Sequence, residues 1–278
     1  MELNHLDSYI LIYRLFSKQL IKWIPKIIHQ TAYSNKDEWH PIWKHCQQST
    51  LKHFKDFKYR FWDDDSLDNF VKEKYPQIYE EYKNFSTHIF QLDCVRYLLL
   101  HHFGGIYIDM DIYCYNNFYD ELKGDVNLVE SINDELVQNS LMASIPNHSF
   151  WMDCYELTLH RTKTIKLKPN LNTFFKKEAD ENDNLIRLIS GPLMLSDCVK
   201  QNKHSVYILP YQYFNHEPLS YKKEFKTKHM QSGMWGKEIK QNFYKVMSQD
   251  NSNVPLEEYH KYSYKMKTSI DLKQLWFL

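Results

Sequence analysis

Two aspartates, Asp109 and Asp111, are the residues in this chain best suited by type and spacing to do chemistry. They stand two apart at the end of an apolar run, Ile106-Tyr107-Ile108. Residues two apart in an extended strand leave the pleat on the same side, so both carboxylates can converge on one cation. Oxygen donors of this kind suit a hard divalent ion, Mn²⁺ or Mg²⁺. Spacing alone proves little, because nineteen aspartates should produce roughly one D-x-D by chance. The second such pair, Asp63 and Asp65, sits in the polar break Trp62-Asp63-Asp64-Asp65-Ser66, where capping a following helix is the simpler role. Asp109 and Asp111 instead end an apolar strand that follows a Gly-Gly turn. Ligands of α/β sheets bind at such carboxyl ends of strands.

Asp93 and Arg96 form the second candidate pair, three apart on one helix face amid apolar neighbours. They make either a structural ion pair or a carboxylate and guanidinium presented to a polar ligand. Sugar hydroxyls, which donate and accept, would satisfy both groups. The residue pattern leaves these two readings open.

The elements that must position these residues alternate short apolar runs with amphipathic stretches, the pattern of an α/β domain. Pro25 to Gln30 reads as a strand, Trp39 to Phe54 as a helix, Phe57 to Trp62 as a strand and Asp65 to Tyr75 as a helix. Ser86 or Thr87 can cap a long helix that ends at Gly104 in the left-handed conformation, and Ile106 to Ile108 follows as a strand. Val126 to Glu130 and Val206 to Leu209 read as further strands, with helices over Phe150 to His160 and Leu193 to Gln201. Only six glycines occur, and Gly104 and Gly105 adjoin the acidic motif. Trp39, Trp43 and the many tyrosines read as packing.

Composition narrows the function classes. The 278 residues, 43% hydrophobic and 16% aromatic, can bury one sizeable core. The 35 basic and 35 acidic side chains cancel, which argues against a nucleic-acid partner. Five widely spaced cysteines contain no C-x-x-C pair, which suits a reducing compartment, and four of them sit among apolar or aromatic neighbours as small core hydrophobes. Residues 1–23 form an amphipathic start, with Arg14, Lys18 and Lys22 interrupting the apolar stretch from Tyr9 to Ile24. Three cations are too costly for a bilayer centre, so the expectation is a cytoplasmic protein whose residues 9–24 pack on the protein or touch a membrane surface. Residues 24–278 are expected to form one domain.

The block from Asp93 to Asp111, D-C-V-R-Y-L-L-L-H-H-F-G-G-I-Y-I-D-M-D, resembles the D-x-x-R … G-G-x-Y-x-D-x-D signature of the DXD sugar-binding glycosyltransferases. That group holds the fungal Golgi α-mannosyltransferases and the glucosylating bacterial toxins. Ile24 to Thr31, I-P-K-I-I-H-Q-T, is similar to the family's opening strand, and Asn139 to Pro146 to a segment that passes beneath the donor sugar. Ser190-Gly191-Pro192 and His229 to Trp235 resemble its S/T-G-P turn and closing H-H-x-x-G-S-W.

The resemblance implies a GT-A type, Rossmann-like domain with a mainly parallel sheet and flanking helices. It also implies retaining transfer of a hexose from a nucleotide sugar, a UDP-sugar preferred and GDP-mannose possible, to a glycan, lipid-linked sugar or protein acceptor. Asp109, Asp111 and His229 would hold Mn²⁺ or Mg²⁺. Donor contacts are implied at Ile28, His29, Gln30, Asp93, Arg96, Tyr107, Asp109, Ser232 and Trp235. Asp93, Arg96, Asp109, Asp111, Asn139 and Trp235 would take part in catalysis. For Asp93 and Arg96 the resemblance favours the ligand over the ion pair. Met234 stands where the family has serine, so Ser232 is the substitute considered. Two rival classes are a metal-dependent phosphohydrolase and a non-catalytic carbohydrate- or nucleotide-sugar-binding protein.

Overall fold

The structure, a computed structural model, describes residues 24–131, 136–165, 184–201, 203–215 and 225–230. The amphipathic start at 1–23, Ser232, Met234 and Trp235 lie outside the described residues.

Within them a six-stranded sheet runs in the order β2-β1-β3-β6-β5-β7. Its strands are β1 (Ile27–Thr31), β2 (Lys58–Trp62), β3 (Gly105–Ile108), β5 (Val126–Glu130), β6 (Val137–Ser144) and β7 (Tyr207–Leu209). β1 pairs in parallel with β2 and β3, and β5 in parallel with β7, while β6 pairs antiparallel with both β3 and β5. Five strands therefore share one direction and only β6 is reversed, so the sheet is mainly parallel as expected. A separate ribbon pairs β4 (Ile112–Cys114) antiparallel with β8 (Thr227–His229).

The helices that matter here are α1 (Pro41–His53), α2 (Asp64–Lys74), α3 (His88–Phe103), α4 (Phe150–Thr164) and α5 (Pro192–Lys200). Apart from the strands β4, β6 and β8, the element order matches the sequence reading to within a few residues. Asp63 caps α2 through a reciprocal pair of bonds with Ser66, each 2.9 Å, so the second D-x-D is spent on a helix end.

Strand alternation sorts β3 between two packed layers. Ile106 and Ile108 join Ile28, Phe54 and Leu141 on one side, while Tyr107 packs with Tyr97, Met142 and Trp151 on the other. α3 is buried along most of its length, with Leu98, Leu99 and Leu100 each fully closed to solvent, which makes it a core helix. It ends at Gly104, whose φ is +60° as expected, but whose ψ of −155° carries it outside the ordinary left-handed helical region. A Cβ there would lie 2.6 Å from the Pro146 nitrogen, and one on Gly105 (φ +91°) would lie 2.6 Å from the Ile27 carbonyl oxygen. Glycine is required at both positions for α3 to turn directly into β3.

Candidate functional site

Asp109 follows the last residue of β3, and its amide nitrogen donates to the Ser140 carbonyl at 2.8 Å. Its own carbonyl accepts from Ile112 N at 3.1 Å, closing a turn that reverses the chain into β4. Between the two aspartates, Met110 is buried with Trp39, Ile42 and Trp43, pinning the turn by its apolar residue. In β8, His229 faces Ile112 in the ribbon register, and Met230 N donates to the Asp111 carbonyl at 2.8 Å. That pairing sets His229 Nε2 3.3 Å from Asp111 Oδ1.

One donor atom from each of Asp109, Asp111 and His229 lies within 4.8 Å of the others. Two carboxylates and an imidazole at this spacing can share one divalent cation, and the O/N donor set fits Mn²⁺ or Mg²⁺. Burial pushes the Asp109 carboxyl above its usual range, as does the Asp111 charge, while Arg96, His229 and Tyr107 act against the rise. Burial depresses His229, yet the Asp111 and Asp109 carboxylates outweigh it and raise the imidazole above its ordinary value. Negative charge is thus concentrated where a cation would neutralise it.

Beside this group lies a network of polar side chains that are almost closed to solvent. Asp93 is 3% exposed and Arg96 6%. Arg96 Nη2 lies 3.2 Å from Asp93 Oδ1, its Nη1 donates to the Asn139 carbonyl at 3.0 Å, and its Nε donates to the Leu92 carbonyl at 3.3 Å. Nη1 also approaches Asp109 Oδ1 at 3.6 Å, so one guanidinium joins the two acidic sites. Asp93 accepts from Asn139 Nδ2 at 3.2 Å and from Ser190 Oγ at 2.6 Å. Burial raises its carboxyl pKa despite Arg96, Ser190 and Asn139, whereas Arg96 stays charged because Tyr107, Asp109 and Asp93 together outweigh its desolvation. Of the two readings left open by the residue pattern, the structure shows the ion pair, and it places that pair beside the acidic group.

The opening strand contributes differently from the resemblance. Ile28 is 1% exposed in the core. His29 is fully buried, with Nε2 at 3.0 Å from the Gly104 carbonyl and Nδ1 accepting from Trp62 Nε1 at 3.1 Å. The His29 side chain thereby pins the α3-to-β3 turn from within. Gln30 is closer to the acidic group, because its Nε2 donates to the Asp109 carbonyl at 3.4 Å and its Oε1 accepts from Tyr59 at 2.9 Å. Tyr107 is 1% exposed, and its hydroxyl donates to Asp109 Oδ1 at 2.7 Å. Two residues absent from the expected site belong to it structurally, Ser190 under Asp93 and Thr31, which is 3.0 Å from the Tyr107 hydroxyl. The S-G-P turn was the available signal for Ser190, and for Thr31 the alternation of β1 that puts it on the side of His29.

Residues 41–129 match the model of the family described as a glycosyltransferase sugar-binding region containing the DXD motif. Over 140 residues the chain is 34% identical to "Mannosyl phosphorylinositol ceramide synthase SUR1" of Saccharomyces cerevisiae, covering 50% of this chain and 36% of that protein. Over 173 residues it is 31% identical to "Inositol phosphoceramide mannosyltransferase 2" of Schizosaccharomyces pombe, covering 62% and 45%. The matches thus span less than half the length of these curated relatives. Among solved structures, "PaToxG Glycosyltransferase" aligns with a TM-score of 0.47 at 17% identity over 70% of this chain and 78% of that one. The stretch that matches the DXD-containing sugar-binding region of the glycosyltransferases, residues 41–129, is the one that holds α1, α3 and both aspartates of the acidic turn.

Proposed function

We propose that the protein is a metal-dependent hexosyltransferase that takes mannose from a nucleoside diphosphate donor and attaches it, with retention, to a phosphoinositol-bearing sphingolipid. The observation that carries this reading is the convergence of Asp109, Asp111 and His229 beside the buried Asp93–Arg96 pair. The names of the relatives support mannose and the lipid, and they move the donor preference from a UDP-sugar to GDP-mannose.

Expelling a nucleoside diphosphate from an anomeric carbon places negative charge on the leaving group. A bound Mn²⁺ or Mg²⁺ supplies positive charge to those departing phosphate oxygens. Asp109, Asp111 and His229 hold the cation at the carboxyl end of the sheet. Arg96 opposes the rise that burial imposes on the Asp109 and Asp93 carboxyls, and Asp93 with Asn139 offers acceptor and donor groups to sugar hydroxyls. Three protein partners already bind the Asp93 carboxylate, which leaves it ill suited to attack carbon. That favours front-face attack, in which the departing phosphate takes the acceptor proton. Trp235, and Ser232 in place of the family serine, remain proposed donor contacts.

The test is donor turnover with GDP-mannose, UDP-glucose and UDP-N-acetylglucosamine, with Mn²⁺ or EDTA, and with phosphoinositol ceramide as acceptor. Release of intact GDP with a mannosylated lipid, abolished by EDTA, is the expected result. Cleavage to a nucleoside monophosphate and sugar phosphate would mean a phosphohydrolase, and donor binding indifferent to EDTA a non-catalytic protein. The cytoplasmic, membrane-peripheral placement through residues 9–24 belongs to the same proposal. No helix among the described residues is long and apolar enough to cross a membrane. Flotation with anionic liposomes that survives deletion of residues 1–23 would end the membrane-contact part.

A further inference from the structure

We infer that Thr31 is a positioning residue for Asp109, acting through the Tyr107 hydroxyl to set how tightly the acidic group holds its cation. The inference rests on the cation-site reading above and adds to it a residue from a different strand.

The direction of the hydrogen bonds follows from what each group can do. An ionised carboxylate only accepts, so the single Tyr107 hydroxyl proton is committed to Asp109 Oδ1 at 2.7 Å. The 3.0 Å contact with Thr31 Oγ1 then has one possible sense: the threonine donates and the tyrosine oxygen accepts. Tyr107 is 1% exposed, leaving no room for bulk water to take over the role of Thr31. The result is a directed chain, Thr31 to Tyr107 to Asp109, in which each bond polarises the next.

The fold makes this chain rigid. Parallel pairing of β1 with β3 sets His29 beside Tyr107, and Thr31 lies two residues further on the same side of β1. From the helical layer, the Arg96 guanidinium lies over the Tyr107 ring, 5.0 Å from its centroid. Tyr107 is therefore gripped on its face by α3 and at its tip by β1. Its hydroxyl binds Asp109 Oδ1, which fixes the orientation of a carboxylate that would share a cation with Asp111 and His229. Removing the Thr31 hydroxyl weakens the grip on Oδ1 and frees the carboxylate to rotate, while Thr31 itself touches neither donor nor cation.

The test measures Mn²⁺ binding to the full chain without donor, by the electron paramagnetic resonance signal of free Mn²⁺. Thr31→Val preserves shape and removes the hydroxyl, and Thr31→Ser preserves the hydroxyl. We expect the valine variant to bind Mn²⁺ about 10-fold more weakly, the lower end for residues that orient metal ligands. The serine variant should return to within about twofold of wild type, with all three proteins melting alike in EDTA. In turnover assays the valine variant should need more Mn²⁺ for half-saturation yet reach a near-normal kcat at saturation. Unchanged Mn²⁺ affinity in Thr31→Val would overturn the inference, as would equal weakening in valine and serine variants. A wild type that binds no Mn²⁺ would remove the cation-site reading itself, and the inference with it.

Discussion

Ser190 Oγ donates a 2.6 Å hydrogen bond to Asp93 Oδ2, joining residues 97 positions apart in the chain. Both are closed to solvent, and the Ser190 carbonyl is itself held at 2.7 Å by the Tyr97 hydroxyl. The turn after residues 184–189 is thereby clamped onto two successive helical turns of α3, at Asp93 and Tyr97. Hydrogen bonds to buried charged groups contribute about 1.5 to 3 kcal/mol. Ser190→Ala should destabilise the protein by about 2 kcal/mol in urea unfolding and raise the Asp93 carboxyl pKa further. A variant as stable as wild type would show that water replaces the hydroxyl.

Asp111→Asn addresses the cation directly. The bond that ties Asp111 to the ribbon is accepted by its backbone carbonyl from Met230 N, and asparagine keeps an oxygen to face His229, so the fold should survive loss of the side-chain charge. Mn²⁺ affinity and donor turnover should both fall by about 100-fold or more, as expected for a lost charged ligand. Isothermal titration with Mn²⁺ checks the first and product analysis the second.

The pH dependence of cation binding follows from His229. Divalent ions take only the neutral imidazole, while Asp111 and Asp109 hold the cation-free ring above its ordinary value of 6.5. Below that raised pKa the ion must expel a proton, so Mn²⁺ affinity should rise about tenfold per pH unit and level off once His229 is neutral. An affinity loss below about pH 6, expected for an ordinary histidine, therefore begins at higher pH here. Titrations at pH 6, 7 and 8 in two buffers of different ionisation heat would count the protons released. A flat profile would remove His229 from the ligand set.

His29 governs acid stability instead. Its pKa is lowered to about 4, first by burial and then by the Arg60 charge, against the favourable Gly104 bond. The neutral ring donates to Gly104 and accepts from Trp62, and protonation would break the second bond. A histidine depressed in the folded state contributes its stability above the unfolded value of about 6.5. That contribution is lost as pH falls toward 4, by about 3 kcal/mol in all. Nuclear magnetic resonance should find the His29 ring neutral down to about pH 5, and His29→Gln should flatten the unfolding free energy between pH 6.5 and 4. Titration near 6.5 would contradict the burial argument.

Much of the positioning was legible because it is local. The apolar periodicity of α3 already put Asp93 and Arg96 on one face, and the alternation of β3 put Tyr107 and Asp109 on one side. Asp63 was readable as a cap because Ser66 follows at the capping interval. β6 escaped notice as a strand since Gln138, Asn139 and Ser140 interrupt its apolar run. Two of those residues stand at the site, Asn139 through its side chain to Asp93 and its carbonyl to Arg96, and Ser140 through the backbone carbonyl that holds the Asp109 amide.

The sequence by itself determined the α/β class, the Gly-Gly turn that delivers α3 into β3, and the paired carboxylates at the strand end. Each depends on residues within one helical turn or one pleat of each other. Only the tertiary structure decided that Ser190 closes over Asp93, that Thr31 reaches Asp109 through Tyr107, and that His229 meets Asp111 across the β4–β8 ribbon. Resemblance had named His229, but nothing in its neighbours specifies the register that brings it there. Pairings between distant segments are selected by packing over the whole core, because many registers satisfy the local pattern and only one buries both partners.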